Sequence, residues 1–217
     1  MKEKLSLDAV IKESKAFTEI ESLHNEALIY GTTDGKAVGT YIEQKFKRYL
    51  LEKYEFTEGN SAKGIDFPDL ELEIKTTSIR QPQCSCPFNS ARQKIYGLGY
   101  SIILFVYDKK DDPTTKTANL NFLHNIFIHA SKTADYQITK ILREILSNGG
   151  NKEDILALLA DRHLPLDDIT AASIADELLI KKPEQGYLTI SNALQWRLQY
   201  ARAIQVAGTV DGIAKIK

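Results

Sequence analysis

"GIDFPDLELEIKTTS", residues 64–78, is the stretch on which the reading of this chain turns. It places Asp66, Asp69, Glu71 and Glu73 within eight positions and then sets Lys75 in the same run. Leu70, Leu72 and Ile74 alternate with Glu71, Glu73, Lys75 and Thr77, the period-two pattern of a strand with one apolar and one polar face. Crowded like charges repel, and a strand face of alternating Glu and Lys is by itself ordinary solvated surface. Three features point elsewhere. Asp66 stands seven residues ahead of Glu73, far enough for the two carboxylates to meet from an adjacent turn. Pro68 fixes the backbone between them and predicts a bend before the strand. Lys75, two positions past Glu73, shares its face.

Working outward, residues 5–29 carry apolar residues at helical spacing, and "GTTDGK" (31–36) is a turn. A second helix is predicted over 37–54, with Val38, Ile42, Phe46, Tyr49 and Leu50 as its stripe. After the acidic strand, residues 78–99 hold two prolines and read as a long loop with a short helix. "SIILFVYD" (101–108) is the continuous apolar run of a strand buried on both faces, and residues 119–130 predict a third strand. From Tyr136 the pattern is helical alone: 136–147, 152–161, 168–180 and 190–206. The expected layout is an α/β core over 1–135 and a helical lobe over 136–217, in two units or one continuous domain.

The 217 residues are 43% hydrophobic and 26% charged with a net charge of −1, an ordinary globular composition that does not suit a non-specific nucleic-acid coat. There is no eighteen-residue apolar run and no apolar leader in "MKEKLSLDAVIKESK", so a cytoplasmic protein with no membrane segment is expected. Cys84 and Cys86 suit neither a disulfide framework nor a zinc site, and the four histidines show no ligand spacing.

Two carboxylates converging with an ammonium suit phosphodiester hydrolysis. The acids hold a hard divalent cation, Mg²⁺ fitting best, which activates water and neutralises phosphoryl charge. The lysine positions or helps deprotonate the water and shields developing charge. Asp66 followed by Glu73-Ile74-Lys75 resembles the PD-(D/E)XK nuclease signature. The longer string Asp66-Phe67-Pro68-Asp69-Leu70, with Glu73, Lys75 and Thr76, looks like the catalytic segment of its MutH-like branch, which includes type II restriction enzymes. The resemblance implies a restriction-endonuclease-like mixed sheet flanked by helices, and Mg²⁺-dependent, sequence-specific cleavage of double-stranded DNA. It also implies a further acid on an earlier helix, which Gly39-Thr40-Tyr41-Ile42-Glu43 supplies with a longer spacing to Asp66 than the family's. Taken alone, Glu43 is a helix carboxylate that pairs with Lys47 at i+4. The expected catalytic set is Glu43, Asp66, Glu73 and Lys75, the three acids being the metal ligands.

For DNA contacts, Arg80, Gln81, Arg92, Gln93 and Lys94 follow the catalytic strand and are expected to anchor phosphates. On the predicted 190–206 helix, Asn192, Gln195, Gln199 and Arg202 fall on one face, and these side-chain types pair with base edges in a major groove. A double-strand cutter is expected to act as a homodimer on a two-fold symmetric target. The alternatives are a nicking enzyme of mismatch-repair type and a non-catalytic DNA-binding regulator.

Overall fold

The computed structural model describes residues 2–59, 65–86, 90–191 and 196–217. In chain order the elements begin with β1 (Glu3–Lys4), α1 (Leu7–Glu21), β2 (Asn25–Glu26), α2 (Gly35–Leu51), β3 (Tyr54–Glu55) and β4 (Leu72–Ser78). They continue with β5 (Gln83–Cys86), α3 (Gln93–Tyr96), β6 (Ser101–Asp112), β7 (Thr117–Ile128), α4 (Tyr136–Ser147), α5 (Lys152–Asp161) and α6 (Asp168–Ile180). The last are β8 (Thr189–Ile190), β9 (Trp196–Gln199), α7 (Ala201–Val206) and β10 (Ile213–Lys215).

The central sheet runs β10-β7-β6-β4, with β2 on β7. β6 and β7 form a long antiparallel pair, while β4 runs parallel to β6, Glu73 opposite Ile102 and Lys75 opposite Leu104. The sheet is thus mixed and flanked by helices, a restriction-endonuclease-like α/β fold. Alternation along β6 feeds two cores. Ile103, Phe105 and Tyr107 pack with Leu72 and Ile74 of β4 against α1 and α2, and Phe46 meets Phe105 edge-on at 5.3 Å. Ile102, Leu104 and Val106 face the other way, towards Leu188, Ile190, Leu198 and Tyr200. Both faces of β6 are therefore buried, as its apolar run requires.

Local chemistry sets the helix starts. Ser6, Asp34, Asp135, Asn151 and Asp167 each accept a backbone N–H at the start of α1, α2, α4, α5 and α6. The α2 stripe of Val38, Ile42, Phe46 and Leu50 is buried as its spacing predicts. α1, however, ends at Glu21, not near 29. The side-chain amide of Asn119 donates to the carbonyls of Ser22 and His24, and Asn25–Glu26 pair with β7. Leu23 and Leu28 consequently stand exposed.

The C-terminal third also departs from expectation. Helices α4, α5 and α6 form as predicted and share a core of Ile138, Leu142, Ile155, Leu159, Ile174 and Leu178. The predicted 190–206 helix does not form. Its place is taken by β8, β9 and the short α7, with β9 antiparallel between β5 and β8. Leu198 and Tyr200, two apart, are both buried, and Tyr200 N donates to Pro82 O at 2.8 Å. A period of two, satisfied by a partner strand from the segment read as loop, overrode the helical pattern. β10 then returns to the central sheet beside β7, so the segment after α6 is not a purely helical lobe. Among the described residues no helix is long and apolar enough to cross a membrane.

Candidate active site

The bend before β4 builds the site. Phe67 and Leu72 exchange backbone hydrogen bonds in an antiparallel bridge, Phe67 N to Leu72 O at 2.9 Å and Leu72 N to Phe67 O at 3.2 Å. Pro68–Leu70 close the loop as one 3₁₀ turn, Pro68 at its first position, and Glu71 exits in the left-handed region at φ 48°. One step outward from that bridge, Asp66 lies opposite Glu73. β4 starts at Leu72, not at Leu70 as the alternation suggests, because Glu71 belongs to this turn.

The backbone orients both acids. β4 has β6 on one side, so the N–H of Ile74 points to the open edge, where Asp66 Oδ2 accepts it at 2.7 Å. Asp66 N in turn donates to Glu73 Oε2 at 3.0 Å. Lys75 Nζ donates to Glu73 Oε1 at 2.6 Å. Asp66 and Glu73 are only 8% and 9% exposed. From α2, Lys47 Nζ reaches Asp66 Oδ1 at 2.5 Å and Glu43 Oε1 at 2.8 Å. The four residues singled out by the sequence thus meet at one edge of the sheet, with Glu43 joined through Lys47.

Burial dominates the electrostatics. It pushes the Glu73 carboxyl up to about 7, the Lys75 ammonium pulling down and the Asp66 charge adding to the rise. Burial works against the Lys75 ammonium, yet the charge of Glu73, and of the Cys84 and Cys86 sulfurs where they ionise, outweighs it, so Lys75 titrates above an ordinary lysine. Lys75 is therefore held as a cation beside Glu73. Glu43 is also raised, first by burial and further by Asp66, against the pull of Lys47.

A stability effect follows from Glu73. Between its ordinary 4.5 and about 7, the folded chain keeps a proton that the unfolded chain has released. Raising the pH through that window therefore favours unfolding. In EDTA, the urea midpoint of wild type should fall relative to that of Glu73→Gln from pH 4.5 to about 7, and the gap should then stay constant. Parallel curves for the two proteins would show that Glu73 is not held protonated.

Glu43 and Lys75 open onto a groove of about 690 Å³, walled on one side by Lys36 and Thr40 of α2 and on the other by Ser85 of β5 and Arg197 of β9. A larger groove, about 900 Å³, lies between α1 and α2 and contains none of the four site residues. There Tyr41 donates to Glu21 at 2.8 Å and Lys45 to Tyr41 at 2.6 Å.

The DNA-reading candidates are dispersed. Arg80 is exposed, 3.8 Å from Asp108. Arg92 pairs with Glu177 of α6 and lies over the Tyr96 ring. Lys94 is 1% exposed and cannot present its ammonium to a phosphate, which corrects its assignment as an anchor. Burial lowers its pKa, against the opposing field of Asp135. Gln199 is exposed on β9 opposite Gln83, whereas Arg202 stacks over Tyr136 at 3.6 Å. Asn192 and Gln195 lie outside the described residues. Gln199 on β9 and Arg202 on α7 do not share one helical face. Two cations of the groove were missed, Lys36 and Arg197, along with Lys47 beside the acids. Lys47 was visible only as an i+4 partner of Glu43; Arg197 was hidden by the wrong period for its segment.

The donor set consists of hard carboxylate oxygens, with Asp66 and Glu73 held in place by backbone amides, and it fits a small oxygen-seeking divalent cation completed by waters or phosphate oxygens. Among the described residues no three acidic, His or Cys side chains form a group that could hold a metal ion, and Lys47 bridges Glu43 and Asp66.

The mixed sheet thus brings Glu73 and Lys75 of its edge strand β4 beside Asp66, next to a groove that Glu43 and Lys75 line. The chain is 60% identical over 212 residues to "Type II restriction enzyme NspV" of Nostoc sp. (strain ATCC 29411 / PCC 7524), covering 98% of this chain and 96% of that protein. The family profile described as "Type II restriction enzyme NspV" matches residues 4–215. The chain belongs to this family of type II restriction enzymes and is a site-specific deoxyribonuclease. No solved structure matches it.

Proposed function

We propose that the chain cuts both strands of duplex DNA with Asp66, Glu73 and Lys75 as its hydrolytic centre, in the manner of the PD-(D/E)XK nucleases. The observation that carries this reading is the convergence of the three side chains through the Asp66–Ile74 and Asp66–Glu73 backbone contacts. Asp66 and Glu73, with Glu43 as the outlying third acid, would hold Mg²⁺. When bound, such an ion supplies a Lewis acid that lowers the pKa of water and neutralises phosphoryl charge.

The chain's own residues do the rest. Ile74 N–H and Asp66 N–H fix the two carboxylates, so the acids keep their places as charge builds. Lys75, held as an ammonium, donates towards the scissile phosphate or the incoming water and stabilises the negative charge that develops. Lys36 and Arg197 line the groove and are suited to seating the phosphate backbone. Among the described residues Gln199 on β9 is the exposed candidate for base contact. Arg92 and Arg202 would have to leave Glu177 and Tyr136 to serve. One centre per chain cuts one strand at a time, so we further propose a homodimer on a two-fold symmetric site.

Supercoiled plasmid tests this reading. With Mg²⁺ the expected products are linear fragments whose ends, by run-off sequencing, fall at one recurring sequence. Ca²⁺ should support binding without cleavage, since it prefers looser, higher coordination. Open circles alone would mean a nicking enzyme, and unchanged plasmid would leave only a binding protein.

A further inference from the structure

Lys47 has no task in the reaction described above, yet its position is demanding. It is 9% exposed, and drawing an ammonium out of water is costly unless it is paired. Its spacing from Glu43 places both on one face of α2, one turn apart, turned towards the Asp66 bend. The oxygens it holds are the informative detail. Asp66 Oδ2 accepts the N–H of Ile74 at 2.7 Å, and Lys47 Nζ lies 2.5 Å from its other oxygen, Oδ1. The same Nζ lies 2.8 Å from Glu43 Oε1. An ammonium already bridges two of the carboxylates that would hold a metal. Mg²⁺ sits about 2.0–2.1 Å from its oxygens, and two cations crowded onto one oxygen repel strongly in a buried setting.

We propose that Lys47 is a resident counter-cation of the metal site, which holds Glu43 and Asp66 together in the metal-free protein and must leave Asp66 Oδ1 when a divalent cation binds. Lys47 therefore sets the metal affinity by competition. It also spares the metal-free fold the cost of two facing carboxylates. The inference rests on Asp66 being a metal ligand, as set out under the proposed function.

Calorimetric titration of Ca²⁺ into the DNA-free protein tests it, with thermal unfolding in EDTA and in Ca²⁺ alongside. Lys47→Met should bind Ca²⁺ at least about tenfold more tightly than wild type, melt lower in EDTA, and gain more from Ca²⁺ than wild type does. Lys47→Arg, which keeps the charge, should retain weak, wild-type-like affinity. Should Lys47→Met fail to fold in EDTA, Lys47→Gln, which keeps a donor for Asp66 without the charge, carries the same comparison. Asp66→Asn should lose Ca²⁺ binding. If Asp66→Asn loses binding but neither uncharged variant binds more tightly than wild type, Lys47 is a structural brace and the inference fails while the site reading stands. If Asp66→Asn binds as wild type does, the site reading itself has failed.

Discussion

Exchange of Asp66 for Asn should lower cleavage about a thousandfold or more and leave the protein folded. The metal's contribution to phosphoryl transfer is several kcal/mol, and each 1.36 kcal/mol is a factor of ten in rate. Losing one of two backbone-fixed ligands removes most of it. The fold survives because the Asn carbonyl oxygen can still accept the Ile74 N–H now taken by Oδ2. Asp66→Ala should be worse in a second way. It leaves that amide without an acceptor, and an unsatisfied buried group costs about 1–3 kcal/mol, whereas both variants leave Lys47 paired with Glu43 alone. The two variants should therefore match in activity lost and differ in melting temperature. Single-turnover cleavage and thermal unfolding measure the two effects separately, and wild-type-like cleavage by Asp66→Asn would remove Asp66 from the site.

Lys75 should separate catalysis from binding. Lys75→Ala is expected to reduce the cleavage rate by about 10²–10³, the scale of losing one preorganised donor to a developing charge. DNA affinity should change little, because one ammonium among many phosphate contacts carries a small share of binding. Lys75→Arg should not restore the rate. The planar guanidinium is bulkier and cannot place a compact charge 2.6 Å from Glu73 Oε1, with Cys84 and Cys86 nearby. Binding measured in Ca²⁺ and cleavage measured in Mg²⁺ give the two numbers. If affinity falls in step with rate, Lys75 is a phosphate anchor and not part of the hydrolytic centre.

How far the sequence could be read depended on whether a signal was local. The bend at Pro68 and the Asp66–Glu73 spacing encode a turn that closes on itself through Phe67 and Leu72, and this local geometry delivered the acids together. The α2 stripe and the β6 run were equally plain, because burial on one face or on both writes a clear period. Where the deciding partner was distant, reading failed. β9 is a strand because β5 pairs with it from more than a hundred residues away, and β5 itself had been read as loop. Leu23 and Leu28 extended a helical pattern that Asn119 interrupts from β7. Lys94 read as surface because it follows Arg92 in a charged loop, yet its position beside Asp135 places it inside. Lys47 looked like half of a solvated i+4 pair, since nothing in α2 announces that Asp66 lies across from it.

The most direct test of the central claim locates the metal on the polypeptide itself. Fe²⁺ accepts the same oxygen ligands, and with ascorbate and peroxide it generates radicals that cut backbone close to where it is bound. With Fe²⁺ in the site, the chain should be cleaved near Asp66 and near Glu73, excess Mg²⁺ should suppress both cuts, and Asp66→Asn should abolish them. Cuts that map elsewhere and persist in Asp66→Asn would contradict a metal-dependent centre at the edge of β4.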